Sequence, residues 1–228
     1  MSVRTTPLRI TLDDQDLAQD LAQDLAQNLA LDGNLAVPDG CRGVVLFAHG
    51  SGSSRHSPRN RAVAASLQQA GLATLLLDLL TVDEERIDRQ TAHLRFDIAL
   101  LARRLAAATL WLTQQPDLSR LAIGYFGAST GAAAALIAAA GDPRVRAIVS
   151  RGGRPDLAGA RLPDVAAPTL LIVGGEDETV ITLNQRALRT MRCIRELAIV
   201  PGATHLFQEP GALEQVTTLA TRWFERYL

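Results

Sequence analysis

The stretch that decides the fold is Gly127-Ala128-Ser129-Thr130-Gly131. The apolar run before it, residues 121–126, favours a buried strand, and the alanine-rich run after it, residues 132–140, favours a helix. A G-x-S-x-G motif between a strand and a helix predicts a sharp turn that lifts the serine hydroxyl above a sheet edge. We therefore predict that Ser129 is a nucleophile. Gly127 and Gly131 are expected to be glycine because a Cβ there would crowd the adjacent strand or helix.

A nucleophilic serine needs a general base, and that base needs an orienting acid. Where the serine lies on such a turn between a strand and a helix, the acid follows it along the chain and the histidine comes last. His205 is the only histidine downstream of Ser129, and it follows the apolar run 197–200. Asp177 follows the β-like run 169–173, so it occupies a loop at the carboxyl end of a strand. Asp177 is the predicted acid, with Glu176 and Glu178 as its rivals.

Strand-like and helix-like segments alternate along the rest of the chain, which predicts an α/β fold with a mostly parallel twisted sheet and helices on both faces. Its 228 residues are expected to form a single domain, residues 1–228. The predicted strands are 8–12, 29–37 with a bulge or tight hairpin at Asp32-Gly33, 43–48, 73–79, 121–126, 145–150, 169–173 and 196–200. The predicted helices are 60–70, 96–114, 132–140, 184–191 and 211–227.

Three blocks together resemble a serine-type member of the α/β-hydrolase fold, and most closely the dienelactone hydrolase-like group. They are the strand and His-Gly loop at 44–54, the Ser129 elbow, and the Gly174-x-x-Asp177-x-x-Val180 loop with His205 beyond it. The resemblance covers the chain from about Leu29 onwards. Dienelactone hydrolases proper carry cysteine at the nucleophile position, whereas this chain has Ser129, so the resemblance does not transfer the lactone substrate.

The resemblance implies that the oxyanion is held by backbone N–H groups, one from Thr130 and one from the Ser51 region. Thr130 also begins a helix, whose dipole favours developing negative charge. His49 is expected to brace this loop by hydrogen bonds. The implied reaction is hydrolysis of a small carboxylic ester, lactone or thioester through an acyl-enzyme.

The composition excludes several other classes of protein. A net charge of −1 gives no reason to expect nucleic acid or an anionic membrane as partner, and no apolar run is long enough to span a bilayer. The sequence contains no lysine, which excludes a pyridoxal phosphate site, a Walker loop and a lysine-dependent dehydrogenase. No metal or other cofactor is expected. Cys41 and Cys193 form no metal or redox pattern, and with no visible leader they indicate the cytoplasm.

The substrate is expected to be small because the connection 151–168, where lids enter this fold, is too short for a cap domain. Four arginines and one histidine in strand-end loops are candidate substrate-binding residues: Arg55, His56, Arg59, Arg151 and Arg154. Arginine forks suit carboxylate or phosphate, so an anionic substrate group is one interpretation. The alternative is that these arginines pair with acids such as Asp156 and Asp164 or are solvated.

Two other functions share this sequence pattern. A cofactor-free perhydrolase or haloperoxidase uses the same three residues, and a catalytically idle hydrolase fold could serve as a binding module. The segment 13–28 is predicted to be a loop insertion with Asp-Leu-Ala-Gln repeats, either a surface elaboration or a partner-binding amphipathic helix. The sequence leaves the oligomeric state open.

Overall fold

The computed structural model describes residues 2–11 and 29–228, which build one eight-stranded sheet with helices packed against it. The strands are β1 Val3–Thr11, β2 Ala30–Pro38, β3 Gly43–Ala48, β4 Leu72–Leu77, β5 Ala122–Ala128, β6 Val145–Arg151, β7 Thr169–Gly174 and β8 Arg195–Val200. The helices are α1 Pro58–Gln69, α2 Val82–Thr91, α3 Ile98–Gln114, α4 Thr130–Ala139, α5 Glu178–Thr190 and α6 Ala212–Tyr227. Short 3₁₀ segments occur at Leu94–Phe96 and Pro155–Asp164.

The sheet order is β1-β2-β4-β3-β5-β6-β7-β8. Only β1 with β2 and β2 with β4 pair antiparallel, whereas all pairings from β4 through β3 to β8 are parallel. Strands β3, β4 and β7 are buried along their whole length, as expected for strands covered on both faces. The predicted α/β class with a mostly parallel sheet is confirmed. The carboxyl ends of the parallel strands meet along one edge, where the loops after β3, β5, β6, β7 and β8 lie side by side.

Helices cover the two faces of the sheet and bury two apolar clusters. One cluster joins the strand residues on one face of the sheet to α1 and α6, and its members from the helices include Val63, Leu67, Val216 and Phe224. The other joins the opposite strand face to α3, α4 and α5, and its members from the helices include Leu105, Leu112, Leu136 and Ala187. Burial on both faces fixes the strand ends in space, and this rigid edge positions the functional loops.

The amino-terminal hairpin differs from the prediction. β1 begins at Val3 rather than at residue 8, and β2 pairs with it without interruption from Thr11–Ala30 to Val3–Pro38. The predicted bulge or tight hairpin at Asp32-Gly33 is therefore wrong. Gly33 instead makes room between leucines, because a Cβ there would meet the side chains of Leu8, Leu75 and Leu77 at 3.1–3.2 Å. The predicted insertion 13–28 lies outside the described residues.

Helix α2 was not predicted from the sequence. Its buried residues are the charged Glu84 and Asp88, so it has no apolar stripe to reveal it. Arg104 of α3 donates to Glu84 at 2.6 Å, and Arg95 donates to Asp88 at 2.6 Å. The helix begins with a capping box between Thr81 and Glu84, which is the one local signal that the sequence did contain.

No cap domain covers the carboxyl edge in the part of the chain that the structure describes. The connection from β6 to β7 holds only the 3₁₀ segment Pro155–Asp164, which packs against α4 and α5. The strand ends therefore stay open at that position, as predicted.

Candidate active site

Ser129 lies at the sharp turn between β5 and α4 with φ 50° and ψ −120°. L-residues other than glycine rarely adopt this backbone region, so the surrounding structure must hold the residue there. Two backbone hydrogen bonds do so: Ser129 N–H donates to Arg151 O at 3.2 Å, and Arg154 N–H donates to Ser129 O at 3.1 Å. Strain of this kind, held by neighbouring backbone, clusters at functional sites and agrees with a nucleophile elbow.

The two glycines of the elbow are required by close backbone packing. A Cβ added at Gly127 would lie 2.4 Å from Ala132 Cα, and one added at Gly131 would lie 2.2 Å from Ala48 O. Neither neighbour is a flexible side-chain end, so the clash cannot be relieved locally. The prediction that a side chain at either position would crowd the strand or helix is confirmed.

His205 and Asp177 meet at the same sheet edge. His205 lies in the turn after β8, and its Nδ1 is 2.7 Å from Oδ2 of Asp177, the N-cap residue of α5. The two loops are joined by backbone, because Glu176 N–H donates to Ala203 O at 3.0 Å. Of the three candidate acids, Asp177 contacts the imidazole, whereas Glu176 and Glu178 are exposed. With Nδ1 engaged, Nε2 is the imidazole nitrogen left to accept a proton.

The loop that follows β6 lies next to both the elbow and the His205 turn. Gly152 follows Arg151, the residue whose carbonyl holds Ser129, and it has φ 52°. A Cβ at Gly152 would lie 3.5 Å from His205 Cε1 and 3.2 Å from His205 O. Glycine at this position thus leaves room for the His205 turn against the end of the strand whose last residue, Arg151, holds Ser129.

The two predicted oxyanion residues are in direct contact. Ser51 N–H donates to Thr130 Oγ1 at 2.9 Å. The backbone N–H of Thr130 is at the first position of α4, so it has no hydrogen-bond partner within the helix and lies at the positive end of the helix dipole. The Thr130 hydroxyl therefore holds the Ser51 loop against the start of α4, and its own contact with Ser51 N–H was not foreseen from the sequence.

His49 braces the same loop, as predicted. Its Nδ1 lies 3.0 Å from Gly50 O, and its Nε2 accepts from Leu79 N–H at 3.2 Å. One neutral tautomer, protonated at Nδ1, satisfies both contacts. Burial lowers the pKa of His49, although its contact with the Gly50 carbonyl and the nearby Asp78 and Glu85 act in the opposite direction.

The candidate substrate-binding residues divide into two groups. Arg55 pairs with Asp78 and lies 3.6 Å from Asp32, and Arg154 forms a bidentate pair with Asp156 at 2.8–2.9 Å. For these two arginines the structure favours the alternative of internal ion pairs.

His56, Arg59 and Arg151 form the second group. His56 is exposed on the loop before α1. Arg59 and Arg151 have no carboxylate partner within the described residues and remain candidates for binding substrate.

A cavity of about 230 Å³ opens beside the oxyanion loop. Residues 49–54 line one side of it, and Glu85 and Arg89 of the unpredicted helix α2 line another. Neither Ser129 nor His205 lines this cavity, so it adjoins the loop rather than the nucleophile. Sequence reasoning missed Glu85 and Arg89 because it missed the helix that carries them.

Within residues 2–11 and 29–228, no three His, Cys, Asp or Glu side chains are grouped so that they could hold a metal ion. Among the described helices, none is both long enough and apolar enough to cross a bilayer.

Comparison with known proteins shows the family and the fold of this chain. Residues 31–228 match the model of the dienelactone hydrolase family. A crystal structure of a dienelactone hydrolase from Anabaena variabilis is 56% identical, with a TM-score of 0.89 over 98% of this chain and 99% of that one. Est1E from Butyrivibrio proteoclasticus shares the fold at 15% identity, with a TM-score of 0.74 over 96% of this chain and 98% of its own.

A Mycobacterium tuberculosis protein named as a putative phosphoribosyl transferase is 63% identical over 198 residues, which is 86% of this chain. The chain spans 44% of that relative's length. The family match covers most of the chain, including the Ser129 elbow and the Asp177 and His205 loops. This chain belongs to the dienelactone hydrolase family.

Proposed function

We propose that this protein is a serine hydrolase that cleaves a small carboxylic ester, lactone or thioester through an acyl-enzyme. The observation that carries the proposal is the 2.7 Å contact between His205 and Asp177 at the same sheet edge as the strained elbow of Ser129. A nucleophile in a strained turn, a base with one free nitrogen and a carboxylate on its other nitrogen are the parts that acyl transfer requires.

In the proposed mechanism, Ser129 Oγ attacks the carbonyl carbon while His205 Nε2 takes the hydroxyl proton. Asp177 keeps the imidazole protonated at Nδ1 and stabilises the imidazolium that forms. The oxyanion accepts hydrogen bonds from the Thr130 and Ser51 N–H groups, the latter turning from Thr130 Oγ1 toward the substrate. His205 returns the proton to the leaving group, and a water activated by His205 then releases the acid and restores Ser129.

Short acyl groups are the proposed substrates. The connection Pro155–Asp164 adds no apolar lid over the strand ends, so a long acyl chain would find little surface to bury. Each buried methylene contributes about 0.8 kcal/mol where a pocket encloses it. Without such a pocket, kcat/KM is expected to fall rather than rise from acetyl to hexanoyl esters.

Two further aspects of the proposal concern compartment and acceptor. Cys41 and Cys193 are free thiols, which supports a reducing compartment such as the cytoplasm. Water is the proposed acyl acceptor, because no residue in the described site is arranged to select hydrogen peroxide in preference to water. The phosphoribosyl transfer in the relative's name is not proposed for this chain, since the site supplies groups for acyl transfer and the chain spans 44% of that relative.

The proposal is tested with p-nitrophenyl esters from acetyl to hexanoyl, with and without hydrogen peroxide. We expect hydrolysis that is fastest for the short esters, independent of peroxide, and lost in Ser129→Ala. Peroxide-dependent peracid formation would indicate a perhydrolase instead. Absence of turnover in the folded wild type across esters, lactones and thioesters would indicate a binding module.

A further inference from the structure

Two arginines near the candidate nucleophile have no carboxylate partner among the described residues. Arg151 ends β6, where its backbone carbonyl accepts the N–H of Ser129. Its guanidinium carbon lies 6.0 Å from the ring centroid of Phe207, two residues beyond His205. Arg59 lies in the first turn of α1, and it is close enough for its charge to act on Arg151. Arg151 thus links the elbow to the His205 turn, and Arg59 approaches it from the start of α1.

The hydrogen-bonding groups of this pair are not satisfied by the protein. Arg151 is 7% exposed, and its Nε and Nη1 are buried without a hydrogen-bond partner. Arg59 Nε is buried without a partner as well. Within the described residues no carboxylate lies within 4.0 Å of either guanidinium, in contrast to the paired Arg55 and Arg154.

An arrangement of this kind destabilises the protein unless something neutralises it. A buried charge without a partner is costly, and two like charges close together add to that cost. Burial, assisted by the repulsion from Arg59, lowers the pKa of Arg151 to about 10, so the group still carries its charge at neutral pH. Two positive charges and three unpaired donor nitrogens thus lie on the segments that follow β3 and end β6.

We propose that Arg59 and Arg151 form a subsite for a phosphate-type dianion carried by the substrate, such as a phosphoryl or phosphonate group near the scissile ester. The proposal rests on the proposed function of Ser129 as nucleophile. A dianion neutralises both guanidiniums, whereas a single carboxylate leaves one charge uncompensated. The amino end of α1, capped by Ser57, adds a favourable dipole on the same side. Arg59 is half-buried, so the pair is reached from solvent on that side.

The test compares three p-nitrophenyl esters that differ only at the acyl terminus: butyryl, succinyl and 3-phosphonopropionyl. The pH is set so that the phosphonate carries both charges. We expect kcat/KM to rise from the neutral to the monoanionic to the dianionic ester, with a dianion-to-neutral ratio of roughly tenfold or more. Arg59→Gln and Arg151→Gln should each reduce that ratio by about tenfold.

Matched controls lie on the same two elements. Arg61 is exposed on α1 and Arg146 is exposed on β6, so Arg61→Gln and Arg146→Gln make the same change of charge away from the pair. Both controls should keep the wild-type ratio. A faster neutral ester, or equal loss of the ratio in Arg59→Gln and Arg61→Gln, would overturn the subsite. Arg59→Gln decides the matter if circular dichroism shows that Arg151→Gln does not fold.

A binding measurement separates this inference from the proposed function. Inorganic phosphate should raise the Tm of Ser129→Ala, and Arg59→Gln in that background should abolish the shift. Neutral-ester hydrolysis that requires Ser129, with no arginine-dependent phosphate shift, would overturn the subsite and leave the proposed function standing. An arginine-dependent shift in a protein that hydrolyses no ester would support an anion site and contradict the nucleophile.

Discussion

Replacing Asp177 by asparagine tests whether Asp177 sets the tautomer of His205 in the candidate triad. Asp177 Oδ2 lies 2.7 Å from His205 Nδ1, so the carboxylate accepts a hydrogen bond and keeps the proton on Nδ1. An amide of the same shape can donate at that position. Donation would move the imidazole proton to Nε2, and an Nε2–H cannot take the proton from Ser129. The substitution therefore changes the tautomer without removing volume.

The expected loss follows from that change. In enzymes with a Ser-His-Asp triad, a wrong imidazole tautomer lowers kcat by a factor on the order of 10⁴, which corresponds to about 5.4 kcal/mol in the activation free energy. KM should change little, because Asp177 sits behind the imidazole and does not face the substrate. Stability should also change little, since the Asp177 side chain makes no capping hydrogen bond to α5 that the substitution could remove.

The assay is steady-state hydrolysis of p-nitrophenyl acetate by the wild type, Asp177→Asn, Glu176→Gln and Glu178→Gln. The two glutamates are exposed neighbours, and their substitution removes the same charge from the same loop. We expect their kcat to stay within a few-fold of the wild type. A crippling effect of Glu176→Gln with a mild effect of Asp177→Asn would refute the assignment of the acid.

Three more outcomes follow from the structure. Gly131→Ala should lower the free energy of unfolding by more than about 2 kcal/mol, because its Cβ would lie 2.2 Å from a backbone carbonyl. In Gly33→Ala the neighbours are leucine side chains at 3.1–3.2 Å, so urea denaturation should show a smaller loss. Thr130→Val should slow turnover by about tenfold, because the Ser51 loop loses the hydroxyl that holds it against the start of α4, whereas Thr130→Ser keeps that hydroxyl and should stay near the wild-type rate. The pKa of His49 is lowered in the fold, so the unfolded chain binds its proton first as the pH falls below 6.5. Wild-type stability should therefore fall below that pH by at most about 1.4 kcal/mol per unit more than in His49→Gln, which urea titrations from pH 7 to 5 would measure.

The sequence predicted those features that depend on local pattern. The elbow is five adjacent residues with a strand before and a helix after, so short-range geometry alone places Ser129 between β5 and α4. His205 and Asp177 follow apolar strands, and parallel strands bring their carboxyl ends to one edge. Chain order and strand position were therefore enough to nominate both residues, with Asp177 chosen ahead of Glu176 and Glu178, and the structure adds the hydrogen bond between Asp177 and His205.

The features that escaped prediction depend on charge pairing in three dimensions. Helix α2 buries Glu84 and Asp88 against arginines, so hydrophobic periodicity cannot reveal it. The four arginines near the strand ends look alike in sequence, yet Arg55 and Arg154 have carboxylate partners in the structure and Arg59 and Arg151 have none among the described residues. Gly33 was mistaken for a strand breaker because the leucines that approach it come from β1 and β4.

The measurement that tests the central claim most directly is covalent capture of the nucleophile. The protein is treated with a fluorophosphonate, digested, and mapped by tandem mass spectrometry alongside Ser129→Ala and His205→Ala. We expect one phosphonyl group on Ser129 in the wild type, none on Ser129→Ala, and labelling of His205→Ala slowed by on the order of 10³ or more. Modification of another residue, or wild-type hydrolysis by Ser129→Ala, would contradict the account.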